Sequence, residues 1–312
     1  MQNKKVLVYG CGSIGMRHAR LAAEAGASVL CVSSKEDLPF PSVRSLVALD
    51  EGSPMDLGVI ATPTALHGQH IRALLDMSVK FLLVEKPLFA SLAESGSLQT
   101  EDDRRRIRVA YNLRFHPGLL RLRGLLRGQQ LLALQLHVGQ YLPSWRPNQD
   151  YRRSYSASHA LGGGVLRDLS HELDLACLLA GRWQRVAALG GKVSDLEITS
   201  DDSFTLLTEH EHCPQVSIHL DYLQTPARRE IVAVVQDGSL RLDLITGTLT
   251  CGNTKEQFQV ARDDTYRNQL RAILDDDLTL CCAFSEGFDV VTLIDAAESA
   301  AKCKEWIWRD NQ

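Results

Sequence analysis

The feature that most constrains this chain is a glycine-rich turn between a short apolar strand and a helical pattern. The turn reads Gly10-Cys-Gly12-Ser-Ile-Gly15 and directly follows the apolar run Val6 to Tyr9. In this context the first glycine allows a tight turn, the second lets the backbone approach a pyrophosphate, and the third lets helix and strand pack closely. Amides of the first helical turn then hold phosphate oxygens. We therefore predict a dinucleotide site that includes Ser13 and Ile14.

Apolar strands and helical patterns continue to alternate up to about residue 115. After the opening strand (6–9), helix (14–25) and strand (27–32), we predict strands at 57–61, 79–84 and 108–111 and helices at 65–77 and from about 91. Alternation of this kind predicts a parallel sheet with helices on both faces.

The pattern changes after Phe115, where a helix at 116–127 is followed mainly by strands. These are predicted at 131–139, 186–193, 204–208, 216–222, 230–236 and 240–244, with a hairpin turn at Asp237-Gly238 and a helical tail at 266–308. The expected fold class is α/β. Residues 1–115 form an N-terminal Rossmann domain with a doubly wound parallel sheet, and residues 116–312 form a C-terminal α/β domain with a large open, mostly antiparallel sheet.

Composition and charge exclude several classes of protein. The chain has 312 residues and a formal charge of -4, and its basic residues are scattered, so we expect no nucleic-acid partner. None of its eight cysteines forms a CxxC pair or stands at metal-ligand spacing from histidine, so we predict reduced thiols and no metal site. No signal-peptide core or membrane-length apolar run is present, and we expect a soluble cytoplasmic protein with no membrane partner.

The end of the second strand bears on the choice between NAD(H) and NADP(H). An Asp or Glu that binds the ribose 2′-hydroxyl commonly stands here, but this chain reads Cys31-Val32-Ser33-Ser34-Lys35. Two hydroxyls and an ammonium group can bind a 2′-phosphate. We therefore predict that Ser33, Ser34 and Lys35 bind the cofactor and favour NADP(H) over NAD(H); an exposed loop that contacts only water is the alternative.

A second glycine cluster opens the segment Gly162 to Asp174, which reads GGGVLRDLSHELD. As one helix, the segment directs His171 nearly opposite its apolar face, with Asp168 about 60° away. This pattern predicts a helix whose first two turns border a cleft. The glycines would let a cofactor or substrate approach the backbone closely.

Three further segments join the two glycine clusters: Ile60-Ala-Thr-Pro-Thr-Ala-Leu-His67, Glu85-Lys86-Pro87 and Asn112-Leu-Arg114-Phe115. Together, over essentially the whole chain, they resemble the glucose-fructose oxidoreductase, inositol dehydrogenase and MocA (Gfo/Idh/MocA) family. The resemblance implies a dinucleotide-binding domain joined to an α/β domain whose open sheet mediates homodimers or homotetramers.

Carried over position by position, the resemblance also implies roles for individual residues. It implies that Lys86 lies beside the nicotinamide and the substrate, and that Asp168 and His171 face the reacting carbon. The cofactor cleft would be lined by Ala61, Thr62, Pro63, His67, Glu85 and Asn112. The family commonly has four steps from this Asp to the His, whereas this chain has three.

Three of these residues suit hydride transfer between a nicotinamide and a carbinol carbon. His171 can be neutral near pH 7 and accept the hydroxyl proton. Lys86 can donate a hydrogen bond to the developing oxyanion, and Asp168 can orient the imidazole.

The loop before the second glycine cluster carries aromatic and basic side chains. Aromatic faces stack on sugars, and arginines bind carboxylate or phosphate. The alternative interpretation is an ordered loop or a subunit contact. The predicted substrate-binding residues are Arg114, Trp145, Arg146, Tyr151, Arg152 and Arg153.

The leading hypothesis is an NAD(P)-dependent dehydrogenase or reductase acting on a secondary alcohol or ketone of a sugar. This loop, followed by DLSHELD, is similar to family members associated with nonulosonate pathways, which favours an acidic or nucleotide-linked sugar. The alternatives are an NAD-dependent glycosidase that oxidises its substrate transiently and a non-catalytic dinucleotide-binding sensor.

Overall fold

A computed structural model describes residues 4–49, 54–77, 79–97, 100–146 and 148–309. The chain forms two compact units, Met1–Phe115 with Arg262–Phe288, and His116–Ala261 with Asp289–Gln312. The first boundary between the two units thus lies after Phe115. Residues 262–288, which the two-range division 1–115 and 116–312 assigned to the second domain, belong to the first unit. The sequence did not indicate that the chain returns to the first unit, because the helical pattern of residues 262–288 resembles that of the tail.

The first unit is built on a seven-stranded sheet with strand order β15-β6-β5-β4-β1-β2-β3. Every neighbouring pair is parallel except β15 with β6. The central strands read as continuous apolar runs because both of their faces are buried. The strands are β1 (Lys5–Tyr9), β2 (Ser28–Val32), β3 (Ser42–Val43), β4 (Met55–Ile60), β5 (Val79–Val84), β6 (Ile107–Val109) and β15 (Cys282–Ala283).

Helices connect the parallel strands and place the loops at their carboxyl ends. The helices of this unit are α1 (Ser13–Glu24), α2 (His67–Asp76), α3 (Glu101–Arg106) and α7 (Asp264–Leu274). A helix from about residue 91 was predicted, but the structure has a 3-10 helix at Leu92–Ser97 and then the six-residue α3. The order 3-2-1-4-5-6 is that of a doubly wound dinucleotide-binding sheet, whose ligands bind beyond the carboxyl strand ends.

The second unit contains a nine-stranded sheet with order β14-β13-β12-β11-β7-β10-β9-β8-β16. All neighbouring pairs are antiparallel except β7 with β10. The strands are β7 (Leu131–Gly139), β8 (Trp183–Gly191), β9 (Ser203–His210), β10 (Cys213–Asp221), β11 (Arg228–Val235), β12 (Gly238–Asp243), β13 (Thr248–Cys251), β14 (Thr254–Gln257) and β16 (Ile307–Trp308). This confirms the mostly antiparallel sheet.

Alternation along the central strands separates two faces of this sheet. One face is apolar and buried, with Leu136, Leu206 and Ile218 among its residues. The other face carries residues such as Thr205, His137 and His219, none of which is fully buried. The helices of this unit are α4 (Pro117–Leu126), α5 (Val165–Asp168), α6 (His171–Ala180) and, beyond its first turn, α8 (Phe284–Cys303).

Three local predictions for the part of the chain after Phe115 were wrong in detail. The hairpin loop is Gln236–Asp237, one residue earlier than predicted, because Gly238 already pairs with Val235. The tail is not helical throughout, since α7 and α8 are separated by β15 and β16 pairs with β8. The helix from Gly162 to Asp174 is interrupted between α5 and α6. None of the helices in the described part of the chain has both the length and the apolar character needed to cross a membrane.

Candidate functional site

The first glycine turn has the geometry that its sequence predicts. Gly10 has a φ of +94°, and a Cβ there would lie 2.7 Å from the carbonyl oxygen of Ala61. A Cβ at Gly15 would lie 1.8 Å from the carbonyl oxygen of Gly10. These two positions therefore accept only glycine, because the polypeptide itself occupies the space of a side chain.

Gly12 differs from its neighbours because a Cβ there would meet no atom within 4 Å. Its φ is -72°, which any residue can adopt, so the fold does not demand glycine here. Gly12 is the N-cap residue of α1, and the exposed Ser13 follows it at the first helical turn. Open space in front of the amides of a 12-residue helix fits the pyrophosphate of a dinucleotide.

The end of β2 lies beside this turn. The Gly10 amide donates to the Val32 carbonyl at 3.0 Å, and the Ser33 amide donates to the Val43 carbonyl at 3.0 Å. The Ser33 hydroxyl accepts from the Lys35 amide at 3.1 Å. Ser34 and Lys35 are exposed. Pairing with β3 also brings Arg44, the residue after Val43, to this end of the sheet, and sequence reasoning did not select it.

The loops after β4 and β5 are joined by a buried imidazole. His67 Nε2 lies 3.1 Å from the Thr62 carbonyl oxygen, and its Nδ1 lies 3.2 Å from the carbonyl oxygens of Pro87 and Leu88. Burial lowers the pKa of His67, against the opposing effect of these carbonyl groups. Both ring nitrogens therefore face the backbone, which favours a role for His67 in holding the two loops. Thr62 is half-buried, and Pro63 is exposed.

The loop after β5 carries Glu85 and Lys86. The Glu85 Oε1 atom lies 2.8 Å from Nε2 of His18, and its Oε2 atom accepts from the Lys86 amide at 3.3 Å. Burial acts to raise the pKa of Glu85, but the hydrogen bond and charge of His18 and the charge of Lys86 outweigh it and lower the pKa. The Glu85 carboxylate therefore holds the backbone amide of Lys86 by a hydrogen bond. His18, one turn beyond Gly15, was not predicted.

Two residues of the loop after β6 have partners within the first unit. Asn112 is buried, and its Nδ2 donates to the Thr265 hydroxyl at 2.6 Å. The buried Arg114 guanidinium donates to Glu286 Oε1 at 2.9 Å. Arg114 therefore has an internal carboxylate partner, which favours a structural role over the predicted contact with substrate.

In the second unit, the chain itself fills the space around the second glycine cluster. A Cβ at Gly163 would lie 2.2 Å from the Tyr155 carbonyl oxygen. A Cβ at Gly164, where φ is +120°, would lie 2.1 Å from Oδ1 of Asp201. The same aspartate accepts from the Leu166 amide at 3.1 Å at the start of α5. These glycines were predicted to let a cofactor or substrate approach the backbone closely. Within this unit, Tyr155 and Asp201 occupy that space instead.

Asp168, the last residue of α5, is held by a tyrosine that sequence reasoning missed. The buried Tyr222 hydroxyl donates to Oδ2 of Asp168 at 2.7 Å. Burial, followed by the Asp168 charge and hydrogen bond, raises the pKa of Tyr222 well above its usual value. The phenol therefore stays protonated and fixes the carboxylate as an acceptor. Trp145 packs edge-on against Tyr222 with ring centroids 5.2 Å apart.

His171 is the first residue of α6 and is 9% exposed. The next residue, Glu172, is buried and accepts from Arg229 on β11 at 2.7 and 2.9 Å. This two-pronged ion pair ties the first turn of α6 to the sheet. Because α5 ends before His171, the helical angles that related Asp168 to His171 along one helix do not apply.

The loop predicted to bind substrate folds into short 3-10 helices. Trp145 Nε1 donates to the Gln140 carbonyl at 3.0 Å. Arg152 pairs with Asp150 and Glu197, whereas Arg146 and Arg153 are exposed and make no ion pair with the described residues. Pro147 of this loop lies outside the described residues. A cavity of about 20 Å³, which has room for about one water molecule, is lined in part by Trp145, Arg146 and Tyr151.

Comparisons with known proteins agree with this geometry. Residues 4–113 match the family described as "Oxidoreductase family, NAD-binding Rossmann fold", and residues 127–241 match the "GFO/IDH/MocA C-terminal domain". No curated protein matches the chain in sequence.

Solved structures with the same fold cover nearly the whole chain. A levoglucosan dehydrogenase in complex with NADH has a TM-score of 0.84 at 18% identity, covering 98% of this chain and 99% of that one. The WlbA dehydrogenase from Bordetella pertussis, in complex with NADH and UDP-GlcNAcA, has a TM-score of 0.80 at 18% identity. The match covers 98% of this chain and 97% of that one. The UDP-N-acetylglucosamine 3-dehydrogenase GnnA from Acidithiobacillus ferrooxidans has a TM-score of 0.79 at 20% identity over 97% and 99%.

We expect a substitution by alanine to have different effects on stability at Gly12 and at Gly15. Gly12→Ala should leave the unfolding midpoint nearly unchanged, because its Cβ meets no protein atom. Its methyl group should nevertheless weaken NADH binding at least about 10-fold, since it occupies the approach of the pyrophosphate. Gly15→Ala should instead lower the unfolding midpoint. Thermal unfolding and NADH titration of both variants provide the check; unchanged NADH affinity in a folded Gly12→Ala variant would contradict this placement of the pyrophosphate.

Proposed function

Because this chain belongs to the Gfo/Idh/MocA family of NAD-binding oxidoreductases, we propose that it transfers a hydride between a nicotinamide and a secondary alcohol or ketone of a sugar. One observation carries the proposal. At the start of α1, Gly12 leaves open space where Gly10 and Gly15 have none. A turn that needed only to be tight would not require glycine at this position.

We propose NADP(H) as the preferred cofactor. None of the three residues directly after β2, Ser33, Ser34 and Lys35, carries the carboxylate that would oppose a 2′-phosphate and bind a 2′-hydroxyl. Ser34 and Lys35 are exposed there, and Arg44 adds a second cation, although it pairs with Glu36. The remaining cofactor contacts would come from Gly10 to Gly15 and from the loops at Ala61 to Pro63 and Glu85 to Lys86, with His67 and Asn112 as buried supports.

The bound nicotinamide supplies the hydride acceptor or donor for the substrate carbon. We propose that His171 takes the proton from the hydroxyl oxygen in oxidation and returns it in reduction. Lys86 donates a hydrogen bond to that oxygen as its charge develops. Asp168, held by Tyr222, supplies a fixed carboxylate beside the reaction. The ion pair between Glu172 and Arg229 supports this assignment because it holds the backbone next to His171.

An acidic or nucleotide-linked sugar is the substrate class that we propose. Arg146 and Arg153 support it because their guanidinium groups are exposed; Arg146 makes no ion pair with the described residues, whereas the charge of Arg153 acts on Asp150. Arg152 is less suited because it pairs with Asp150 and Glu197. Trp145 and Tyr151 would contribute aromatic faces. Two of the proteins of similar fold are named with UDP-sugars, which are nucleotide-linked sugars.

We also propose a homodimer or homotetramer, as the family resemblance implies, and a cytoplasmic location. All eight cysteines are free thiols, and five of them are buried. Free thiols of this kind are typical of proteins in a reducing compartment.

The catalytic assignment predicts that His171→Ala loses about 10²- to 10⁴-fold in kcat while keeping its NAD(P)H affinity, because a general base acts on the transition state. Lys86→Ala should also lose kcat and should raise KM. The assay is absorbance of the reduced nicotinamide with hexoses, uronates, nonulosonates and nucleotide sugars. His159→Ala, at an exposed histidine of the same unit, is the matched control. Turnover within a few-fold of the parent in both variants would reject the assignment.

The cofactor preference predicts that the parent binds NADPH more tightly than NADH and that Ser33→Asp reverses the order. An added carboxylate repels the 2′-phosphate and accepts a bond from the 2′-hydroxyl. Lys35→Met should weaken NADPH binding alone, since only NADPH carries the charge that Lys35 compensates. Fluorescence titration of the three proteins with both cofactors measures this. Tighter NADH binding by the parent would overturn the preference and leave the oxidoreductase proposal intact.

A further inference from the structure

Two histidines and an aspartate, His137, His219 and Asp221, gather on the outer face of the sheet of the second unit. They lie at the carboxyl ends of β7 and β10, the parallel pair of this sheet. His137 is the direct cross-strand partner of His219, and Asp221 is the partner of Gly139. Because alternate residues of a strand share a face, the pattern HVG on β7 and HLD on β10 directs both imidazoles and the carboxylate to one point.

The donor atoms are close to the distances of a metal site. His219 Nε2 lies 3.1 Å from Asp221 Oδ2, and His137 Nε2 lies 4.0 Å from the same oxygen. The ligand atoms of these three residues all lie within 4.8 Å of one another. The Gln224 carboxamide oxygen, 2.6 Å from His137 Nε2, adds a fourth donor. Ligand atoms of a tetrahedral zinc ion with bonds of about 2.0–2.1 Å stand about 3.3–3.4 Å apart, so small side-chain rotations complete the set.

Neighbouring groups fix the orientation of these donors. The Thr205 hydroxyl lies 2.7 Å from His219 Nδ1 and can accept a hydrogen bond from Nδ1–H, which leaves the Nε2 lone pair directed at the cluster. Asp221 Oδ1 accepts from the amides of Leu223 and Gln224, both at 2.7 Å, so Oδ2 faces the histidines. A Cβ at Gly139 would lie 2.3 Å from Oδ2. Glycine at this position therefore leaves room for the carboxylate.

The surroundings of the cluster do not repel a cation strongly. His137 and His219 line a groove of about 140 Å³ on this face, together with Arg228 and Glu230. Arg228 lines the same groove, and Glu230 pairs with it and with Arg241. The negative charges of Glu230 and Asp221 therefore balance the positive charges of the two arginines.

We propose that His137, His219, Asp221 and the Gln224 side-chain oxygen bind a divalent transition-metal cation, with zinc as the preferred ion. Two imidazoles and one carboxylate suit zinc and its neighbours, whereas magnesium and calcium prefer oxygen ligands. A cation here would cross-link β7 to β10 and stabilise this sheet. The site is structural and does not depend on the proposed oxidoreductase function.

The test is a zinc titration of the full-length chain after treatment with a chelator and dialysis. We expect one zinc ion per chain by calorimetry, a higher thermal unfolding midpoint with zinc than without, and no such effects with magnesium. Cobalt should give visible absorption bands of a low-symmetry site. Thr205→Val should weaken zinc binding about 10- to 100-fold through loss of the orienting hydroxyl. His219→Gln and Asp221→Asn should weaken it further.

His212→Gln is the matched control, because His212 is exposed in the β9–β10 turn and outside the cluster. Its zinc affinity should equal that of the parent. A parent chain that shows no saturable zinc binding would overturn the proposal, and the cluster would then be a hydrogen-bond network only. Binding that survives unchanged in folded Asp221→Asn and Thr205→Val variants would also overturn it. The parent result decides even if a variant fails to fold.

Discussion

The contact between Gly15 and the carbonyl oxygen of Gly10 is the constraint on which the first unit depends. A side chain at Gly15 would need the space of that oxygen, so α1 can start only where β1 ends in this tight turn. The turn sets the direction of α1 and presents its first amides beyond the carboxyl ends of β1, β2 and β4. The loops with Thr62 and Lys86 follow neighbouring strands of the same sheet. Backbone packing thus gives this edge the form at which doubly wound sheets bind dinucleotides.

The second unit uses glycine for a different purpose. At Gly163 and Gly164 the space of a side chain is filled by Tyr155 and Asp201, and Asp201 also binds the Leu166 amide. The start of α5 is thus anchored to the chain before β9. Tyr222 from beyond β10 then holds Asp168, and Arg229 from β11 holds Glu172. The segment that carries His171 is supported by residues in or next to three strands of one sheet, β9, β10 and β11.

Local features explain what could be predicted from sequence. The geometry of the turn at Gly10, Gly12 and Gly15 depends mainly on nearby backbone, and the buried parallel strands have unbroken apolar runs, so the fold of the first unit and its glycine turn could be predicted. The partners Asp201, Tyr222 and Arg229 lie 35, 54 and 57 residues from the groups that they bind. Only strand pairing brings them together. The break before His171 and the return of residues 262–288 to the first unit likewise depend on long-range packing.

The most direct test of the central claim is transfer of deuterium from reduced nicotinamide to a carbonyl substrate. NAD(P)H carrying deuterium at both C4 positions of the nicotinamide would be incubated with the chain and the oxidised form of an acidic or nucleotide-linked sugar, and the product analysed by mass spectrometry. If the chain is an NAD(P)-dependent sugar oxidoreductase, the alcohol product gains one deuterium at the former carbonyl carbon, in equal amount to the cofactor consumed. Binding of the cofactor without any such transfer across the sugar panel would contradict the account.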